Sequence, residues 1–476
     1  MLFTTPLFIL VFFPLFFISY FFVRGKAKNW VAILSSIAFY AWGEPVFIAV
    51  VLVSIGVDWL LSKWIYKFGN AGKTTSAKII LTIAVTMNLS LLIYYKYTGF
   101  LLENINILFS KTAFSPIIWT QIALPIGVSF IVFEKITYLV DVYRRVGKPA
   151  INISSYAMYI LLFPKLLAGP IVKYHDIEKQ LYLRPETLQN ISFGLFRFIM
   201  GLAKKVLIAD PISKISDSIF ALPVPTLDVS YAWIGLFCFT LQIYFDFSGY
   251  SDMAIGMAKM MGFDLNENFS MPYSAANFTD FWRRWHISLS TWIKSYLYVP
   301  LGGNRCGGVR TYFNLVLCFF LSGLWHGASW TYVVWGLYHG FFLAVDKLFW
   351  LRISERIPRL LNIMLTFFLV MIGWVFFRAN SIGEAISYIF ILLKINSSGF
   401  ASVYINPSTK ATIVFAALII ICQPFLPRDG VMMKCTMLFA NPNWSCALTF
   451  IALIMLTLAL LQIAAADFSP FIYFRF

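Results

Sequence analysis

The feature that most constrains this chain is a series of apolar runs, each about 20 residues long, which recurs along the whole sequence. The clearest runs lie at residues 2–23, 31–57, 79–95, 232–247, 361–377 and 446–466, with a shorter one at 411–422. In lipid only a helix or a closed barrel satisfies its own backbone hydrogen bonds, and runs of this length suit a helix. Because only 12% of the residues are charged, we predict an all-α polytopic membrane protein with roughly 10–13 transmembrane helices.

Basic residues set the predicted orientation. Arg24, Lys26 and Lys28 follow the first run, and no Lys or Arg precedes it. Since basic loops stay in the cytoplasm, the N-terminus is predicted to lie outside it, and the run is not predicted to be a cleaved signal peptide. The excess of 37 basic over 21 acidic residues is spread over the loops. Contact with anionic membrane lipid explains this excess, and no nucleic acid partner is predicted.

No Ser/Gly-rich or acidic linker divides the sequence, so we predict a single transmembrane domain over residues 1–476. Within it, the segment at 161–176 contains two prolines and a glycine and is too short to cross the bilayer. Such a segment is tolerated at membrane depth only when it is buried in protein or lines a cavity, so we predict a re-entrant element. Lys165 in this segment then needs a partner or water.

The segment at 277–308 mixes aromatic and basic residues densely, which is typical of an interfacial helix on the cytoplasmic face. Arg283 and Arg284 could meet an anionic substrate, and His286 lies one helical turn before Ser290. A purely structural helix anchored by Trp and Arg explains the same composition, so both interpretations stay open.

His326 follows Trp325 in the sequence Ser-Gly-Leu-Trp-His-Gly, and it is one of only four histidines. A buried histidine often serves packing alone. Ionisable side chains within the membrane are costly, however, and small neighbours allow a ligand to approach closely. Neutral imidazole accepts a proton near neutral pH, which suits a general base. His339 is interpreted as structural, because on one continuous helix it would point away from His326.

Gln242 and Asp246 are one helical turn apart and therefore share a helix face. Asp246 and Asp252 are carboxylates near membrane depth, so each should face a partner or a watery cavity. A buried network that ties helices together is an equally open interpretation.

Several of these segments resemble the signature segments of membrane-bound O-acyltransferases. They are "QIYFDFSGYSDMAIG", "FWRRWHISLSTWIKSYLYVPLGGNR" and "LWHGASWTYVVWGLYHG", with "LPIGVSFIVFEKITYLVDVYRR" and "FPKLLAGPIVKY" upstream. The similarity is greatest to the bacterial branch that contains the membrane subunits of alginate and peptidoglycan O-acetylation. It covers residues 120–340 and returns in the last run and tail, 446–476.

The resemblance implies a ring of tilted helices with re-entrant segments around a central tunnel. It implies a bacterial inner-membrane acetyltransferase that uses acetyl-CoA from the cytoplasm, with no bound cofactor. The acetyl group would pass to an extracytoplasmic partner of the SGNH type, which acetylates a cell-surface polysaccharide such as peptidoglycan or alginate. His326 corresponds to the family's essential histidine and His286 to its second polar site. The residues expected to line the tunnel or bind the donor are Gln242, Asp246, Arg283, Arg284, Ser290 and Trp325.

The chain ends in "DFSPFIYFRF", an aromatic tail. Such a tail is typical of an interfacial anchor. It also resembles the Phe-x-Tyr-Phe-x-Phe ending of this branch, which implies that Tyr473 is an acyl relay. A phenol with a pKa of about 10 is a poor nucleophile, so it would need an adjacent base, and His326 could supply one.

Two other classes of membrane protein share some of these features. A transporter of a glycan or precursor, coupled through the intramembrane carboxylates, is the main alternative, but such proteins often contain internal repeats and none is visible here. A metal-dependent membrane oxygenase needs a cluster of several histidines, and four scattered ones do not supply it. No metal site is therefore predicted.

Overall fold

The computed structural model describes residues 1–111, 114–120, 122–394, 402–426, 438–439, 441–465 and 469–475. All regular secondary structure in these ranges is helical, and no strand occurs in them. Residues 466–468 and Phe476, which belong to the predicted last run and to the aromatic ending, lie outside the described residues. The described chain divides into two compact units. The prediction of a single transmembrane domain over residues 1–476 stays a prediction.

The first unit consists of Met1–Gly194 and Met257–Asn266. Its α-helices are α1 Phe13–Phe22, α2 Ala27–Ala41, α3 Phe47–Asn70, α4 Thr74–Leu92, α5 Thr98–Phe109, α6 Val128–Tyr143, α7 Ile153–Leu161, α8 Phe163–Leu166, α9 Tyr174–Ile177 and the start of α10, Leu188–Ala203. Two π-helical segments, Phe8–Phe12 and Ile93–Tyr97, continue into α1 and α5, and a 3₁₀ turn lies at Lys179–Leu181.

The second unit consists of Leu195–Gly256 and Glu267–Phe476. It contains the end of α10 and then α11 Asp210–Phe220, most of α12 Val229–Met260, α13 Phe278–Trp282, α14 Ile287–Ile293, α15 Gly308–His326, α16 Trp330–Val345, α17 Leu351–Ser354, α18 Arg359–Arg378, α19 Ile382–Leu392, α20 Pro407–Cys422 and α21 Pro442–Ala465. Its π-helical segments are Lys204–Ala209, Lys294–Tyr298 and Asp346–Trp350, and its 3₁₀ turns are Val224–Thr226, Pro272–Ser274, Gln423–Phe425 and Ile472–Arg475.

Six helices in the described ranges are long and apolar enough to cross a membrane. They are Phe47–Asn70, Thr74–Phe109, Gly308–His326, Arg359–Arg378, Pro407–Phe425 and Trp444–Ala465, and two shorter apolar helices are Phe8–Phe22 and Ile382–Leu392. The protein is therefore an all-α, multi-pass membrane protein. The predicted count of roughly 10–13 spans and their arrangement as a ring around a tunnel stay predictions.

The apolar run at 31–57 was predicted as one span, and this is wrong. The run belongs to two helices, because α2 ends at Ala41 and α3 begins at Phe47. Pro45 lies between them. Proline lacks a backbone N–H and disfavours a helical conformation in the residue before it, so the helix ends there.

The predicted re-entrant segment contains the short helix α8 and the beginning of the short helix α9, and its residues at 162–172 are buried. Lys165 forms an ion pair with Glu134 on α6. The expectation that this lysine has a partner is therefore confirmed.

The segment at 277–308 is not a single interfacial helix, so that prediction is wrong. It contains two short helices, α13 and α14, with a break between them that ends at His286. His286 has φ +44°, in the left-handed region that a non-glycine residue rarely adopts, so no α-helix passes through it. Trp285 and Trp292 are buried instead of lying along the surface.

Helices α15 and α16 form a tightly packed pair. A side chain at Gly323 or at Gly336 would collide with the backbone of the other helix, so both positions require glycine. Helix α15 ends at His326, the backbone of Gly327 is extended, and α16 begins at Trp330. His326 and His339 therefore lie on different helices, and the assumption of one continuous helix through both was wrong.

Candidate active site

His326 is the last residue of α15, where the helix ends before Gly327. Its side chain is buried and aromatic rings surround it. The imidazole centroid lies 4.9 Å from the Trp335 ring, 5.3 Å from the Phe377 ring and 4.9 Å from the Trp325 ring. All three contacts are edge-to-face, the arrangement that aromatic pairs favour. These apolar walls exclude water from most of the imidazole.

The Tyr473 hydroxyl lies 2.8 Å from His326 Nδ1, although the two residues are 147 positions apart in the sequence. Tyr473 belongs to the 3₁₀ turn Ile472–Arg475. If Nδ1 carries no proton, it accepts the phenol hydrogen bond and is placed to take the proton. Burial raises the pKa of the Tyr473 hydroxyl well above its usual range. This phenol therefore becomes a nucleophile only with the help of a base such as His326.

The residues before Tyr473 are fixed by packing against α12. Phe471 is buried and stacks on Tyr250, with ring centroids 4.6 Å apart. The Tyr473 ring itself lies 4.8 Å from the Phe247 ring. The C-terminal segment is thus packed into the protein and is not only an anchor at the surface of a membrane.

Asp246 on α12 binds the same segment. Its Oδ2 accepts a hydrogen bond of 2.8 Å from the Ile472 backbone N–H, and its Oδ1 lies 3.1 Å from Lys205 Nζ. Gln242, one turn earlier on α12, is also buried, and its Oε1 has no hydrogen-bond partner among the described residues. Of the two α12 residues expected at the site, Asp246 therefore binds the C-terminal segment, whereas the side-chain oxygen of Gln242 can still accept a hydrogen bond.

His286 is buried beside the same rings. Its imidazole centroid lies 6.3 Å from the Tyr473 ring and 6.1 Å from the Trp325 ring. His286, Trp325, His326 and Tyr473, which were predicted from separate segments, therefore meet in one place. Burial lowers the pKa of His286 to about 3, so its imidazole is neutral at physiological pH.

Asn268 determines which nitrogen of His286 carries the proton. Asn268 Oδ1 lies 3.2 Å from the Ser288 backbone N–H, which only donates, so the oxygen is assigned to this side of the amide. The same oxygen lies 3.1 Å from His286 Nδ1, which must therefore donate. Nε2 is then the unprotonated nitrogen, and it has no hydrogen-bond partner in the described ranges. His286 thus offers a free acceptor to a substrate N–H or O–H.

Ser290 and Arg284 have other bonds in this structure. The Ser290 hydroxyl donates to the Trp285 carbonyl at 3.4 Å. Arg284 is buried, with its Nε 2.9 Å from Asp280 Oδ1. Both side chains are therefore engaged within the protein.

Arg283, in contrast, is exposed and lines a cavity of about 520 Å³ together with the exposed Arg359. Gln423 also lines this cavity; it is buried, and its Oε1 has no hydrogen-bond partner among the described residues. The cavity has the size of a small-molecule site, and its lining includes two exposed cations and an amide side chain. In the part of the chain that the structure describes, no group of three or more His, Cys, Asp and Glu side chains could hold a metal ion.

Four residues that bear on the site were missed by the sequence analysis: Asn268, Lys205, Arg359 and Gln423. Lys205 had a usable signal, because it lies in the apolar stretch "FIMGLAKKVLIAD", where a charged side chain needs a partner. The others had no such signal, since their roles depend on contacts between distant segments.

A multi-pass helical protein that holds a buried histidine against a phenol hydroxyl has the features of an intramembrane group-transfer enzyme. Comparison with known families agrees, because the sequence model of the membrane-bound O-acyltransferase family matches residues 142–384. The chain belongs to this family.

Known relatives are similar over the whole chain or over about half of it. A protein named "Probable alginate O-acetylase AlgI" from Pseudomonas putida is 38% identical over 100% of both chains. A peptidoglycan O-acetyltransferase from Helicobacter pylori is 33% identical over 100% of this chain and 98% of its own. A teichoic acid D-alanyltransferase from Bacillus subtilis is 27% identical over 54% of this chain and 69% of its own.

The family and these relatives identify the protein as a membrane acyltransferase. The enzyme class predicted from the sequence is thereby confirmed, and the transporter alternative finds no support in the comparisons.

Proposed function

We propose that this protein transfers an acetyl group from acetyl-CoA to the Tyr473 hydroxyl, and from there to an acceptor outside the cytoplasm. One observation carries the proposal: the 2.8 Å contact between Tyr473 Oη and His326 Nδ1. This contact places the weak nucleophile and its base within the distance that proton transfer requires.

The first half-reaction begins when His326 Nδ1 takes the phenol proton. Tyr473 Oη attacks the thioester carbonyl carbon, so that an O–C bond forms and the C–S bond breaks. The leaving thiolate takes the proton from the His326 imidazolium. The products are an acetyl ester of Tyr473 and free CoA, with His326 neutral again.

In the second half-reaction a hydroxyl of the acceptor attacks the ester carbonyl. His326 takes the proton of this hydroxyl and returns it to the Tyr473 oxygen as the ester bond breaks. The phenol is restored and the acceptor is acetylated. An aryl ester is an activated ester, so the acetyl group remains transferable throughout.

The donor is assigned to the cavity beside Arg283 and Arg359. Two exposed guanidinium groups suit the phosphates of CoA, because arginine forms paired hydrogen bonds with phosphate oxygens. Arg284 holds Asp280, so we assign it to shaping the cavity wall. The basic residues of 347–359 predict that this side of the chain faces the cytoplasm.

The other tunnel residues receive more limited roles. His286 Nε2 and Gln242 Oε1 are buried acceptors that fit an N–H or O–H of the incoming substrates. Trp325 forms an apolar wall between His286 and His326. Ser290 supports the backbone at Trp285.

For the cell we propose the bacterial inner membrane, with the N-terminus outside the cytoplasm. The relatives are named for alginate and peptidoglycan O-acetylation, so a cell-surface polysaccharide of this kind is the proposed final acceptor. An extracytoplasmic SGNH-type acetyltransferase is the proposed partner that completes the transfer. No bound cofactor is part of this scheme.

The proposal is tested by incubating the protein, reconstituted in liposomes, with acetyl-CoA and measuring free CoA by chromatography. We expect one CoA to be released per protein in a first turnover without a partner, because one Tyr473 accepts one acetyl group. His326→Asn keeps a hydrogen-bond acceptor near the Nδ1 position but removes the base, so its rate should fall by about 10²–10⁴.

The matched control is His175→Asn, because His175 is bonded to Asp141 in the first unit and has no part in the scheme. Its rate should equal that of the wild type. Unchanged CoA release from His326→Asn would contradict the proposal.

A further inference from the structure

A cluster of charges lies beneath the C-terminal segment in the second unit. Lys205 Nζ is 2.5 Å from Asp210 Oδ1 and 3.1 Å from Asp246 Oδ1. The side chains of Lys205 and Asp246 are only 4% and 2% exposed. Removing such groups from water is costly, and replacing a buried ion pair with apolar residues is often neutral for stability. A role other than stability is therefore worth seeking.

The C-terminal segment completes this cluster through its backbone. The Ile472 N–H donates to Asp246 Oδ2 at 2.8 Å, and Lys205 Nζ donates to the Pro470 carbonyl at 3.4 Å. The Ser469 side chain also forms a hydrogen bond with Asp210. Successive parts of the tail are thus bound by a cluster drawn from α11, α12 and the π-helical segment Lys204–Ala209.

We propose that Lys205, Asp210 and Asp246 are positioning residues that hold the C-terminal segment so that Tyr473 Oη reaches His326. The role in acetyl transfer rests on the proposed function, but the holding of the tail does not. These three residues are referred to below as the tail anchor.

The position of the anchor along the tail supports this role. Ile472 is the residue before Tyr473, so the bond to Asp246 fixes the backbone directly beside the phenol. A misplacement of a nucleophile by about 1 Å can cost 10²-fold in rate. Ring packing of Phe471 on Tyr250 is non-directional, whereas the backbone hydrogen bond to Asp246 is directional and so adds a specific register to the packing.

Asp252 on the same helix provides a matched control. It is also buried and ion-paired, with Arg197 at 2.8 Å and Lys204 at 2.5 Å. Neither partner belongs to the tail. Substitution of Asp252 therefore tests the general cost of breaking a buried ion pair on α12, without touching the tail anchor.

The test compares the full-length wild type with Asp246→Ala, Asp246→Asn and Asp252→Asn by hydrogen-exchange mass spectrometry of the C-terminal peptide. No acyl donor is needed. In Asp246→Ala the Ile472 amide loses its charged acceptor, so exchange of this peptide should become at least about 10-fold faster. Asp246→Asn keeps a neutral acceptor and should give an intermediate rate. Asp252→Asn should exchange at the wild-type rate.

The same variants are then incubated with acetyl-CoA. Asp246→Ala should lose at least about 10-fold in the first-turnover rate of CoA release, with an unchanged KM for acetyl-CoA, because only Tyr473 is misplaced. Lys205→Arg, which keeps the charge, should retain most of the rate.

The outcomes separate the two proposals. If the C-terminal peptide exchanges at the wild-type rate in both Asp246 variants, the tail anchor is overturned, irrespective of the rates of CoA release. If the C-terminal peptide exchanges faster but the rate of CoA release is unchanged, the positioning role of the tail anchor is overturned. Faster tail exchange in the Asp246 variants, together with a wild type that releases no CoA, would support the anchor while the proposed function failed. If Asp246→Ala does not fold, Asp246→Asn, which is nearly the same shape, decides the exchange result.

Discussion

Two buried histidines in this protein, His326 and His339, differ mainly in what their nitrogens face. His326 Nδ1 meets the hydroxyl of Tyr473, which comes from the far end of the chain. His339 Nδ1 accepts a hydrogen bond of 3.2 Å from Trp282 Nε1, and its Nε2 has no hydrogen-bond partner among the described residues. Both imidazoles are buried and both lie among aromatic rings.

In the proposed function, burial and aromatic surroundings do not by themselves make a histidine a base. A base needs a proton to take, and Tyr473 supplies a hydroxyl that can react. Trp282 supplies an indole N–H, which holds its proton far more tightly and lies within the packed core between α13 and α16. His339 therefore fits a structural role, and the comparison predicts a loss of rate on substitution of His326 and a loss of stability on substitution of His339.

The largest effect is expected from Tyr473→Phe. The ring and its packing on Phe247 remain, but the acceptor oxygen is lost, so acetyl transfer to a polysaccharide acceptor should be abolished. The assay is acetylation of the acceptor by the reconstituted enzyme with its partner. Retained activity in Tyr473→Phe would show that the donor passes its acetyl group directly to the acceptor.

The next effect sharpens the comparison of the two histidines. His326→Asn should lower the transfer rate by about 10²–10⁴ because the amide cannot accept a proton. His339→Asn should keep the bond to Trp282 and the rate, while the lost ring volume destabilises the fold by about 1–3 kcal/mol. Initial rates and thermal unfolding of both variants provide the measurement. Equal rate losses at similar unfolding temperatures would contradict the distinction.

A smaller effect is expected at Asn268. Asn268→Ala removes the acceptor that fixes the His286 tautomer, so Nε2 is unprotonated in only part of the molecules. We expect a rate loss of about 10-fold, which corresponds to one hydrogen bond of about 1.4 kcal/mol. Asn268→Asp keeps an acceptor at the same place and should recover most of the rate. No difference between the Ala and Asp variants would argue against a tautomer role.

The smallest expected effect is on the pH dependence. The pKa of His286 is lowered to about 3 by burial, so His286 stays neutral between pH 5 and 8. If activity falls as the pH is lowered from 8 to 5, the group that takes up the proton must be one other than His286. His286→Asn should lower the rate without moving the acidic limb of the pH–rate profile. A shift of that limb would show that His286 titrates in the working range.

The sequence predicts those features that depend on a local pattern of residues or on the motifs of the family. The membrane class follows from the apolar runs, and the family motifs indicate His286, Trp325, His326 and Tyr473, which the structure brings together. The positions at which helices end were predicted less well. The end of α2 at Ala41 and the left-handed residue His286 both depend on local geometry that hydropathy does not report.

Contacts between distant segments could not be predicted from one sequence. The tail anchor binds residues far away in the sequence: Lys205 bonds to Pro470 at a separation of 265 positions, and Asp246 bonds to Ile472 at a separation of 226. Asn268 and Ser288 likewise gain their roles only after the chain has folded back on itself. A polar side chain in an apolar segment indicates that a partner exists, but not which one.

The most direct test of the account is peptide mass spectrometry of the reconstituted protein after incubation with acetyl-CoA in the absence of a partner. We predict an acetyl group on Tyr473 in the wild type, lost on addition of the partner and its acceptor, and absent from His326→Asn on the same time scale. A wild type that acetylates the acceptor at full rate, with no acetyl group on Tyr473 at any time, would contradict the central claim.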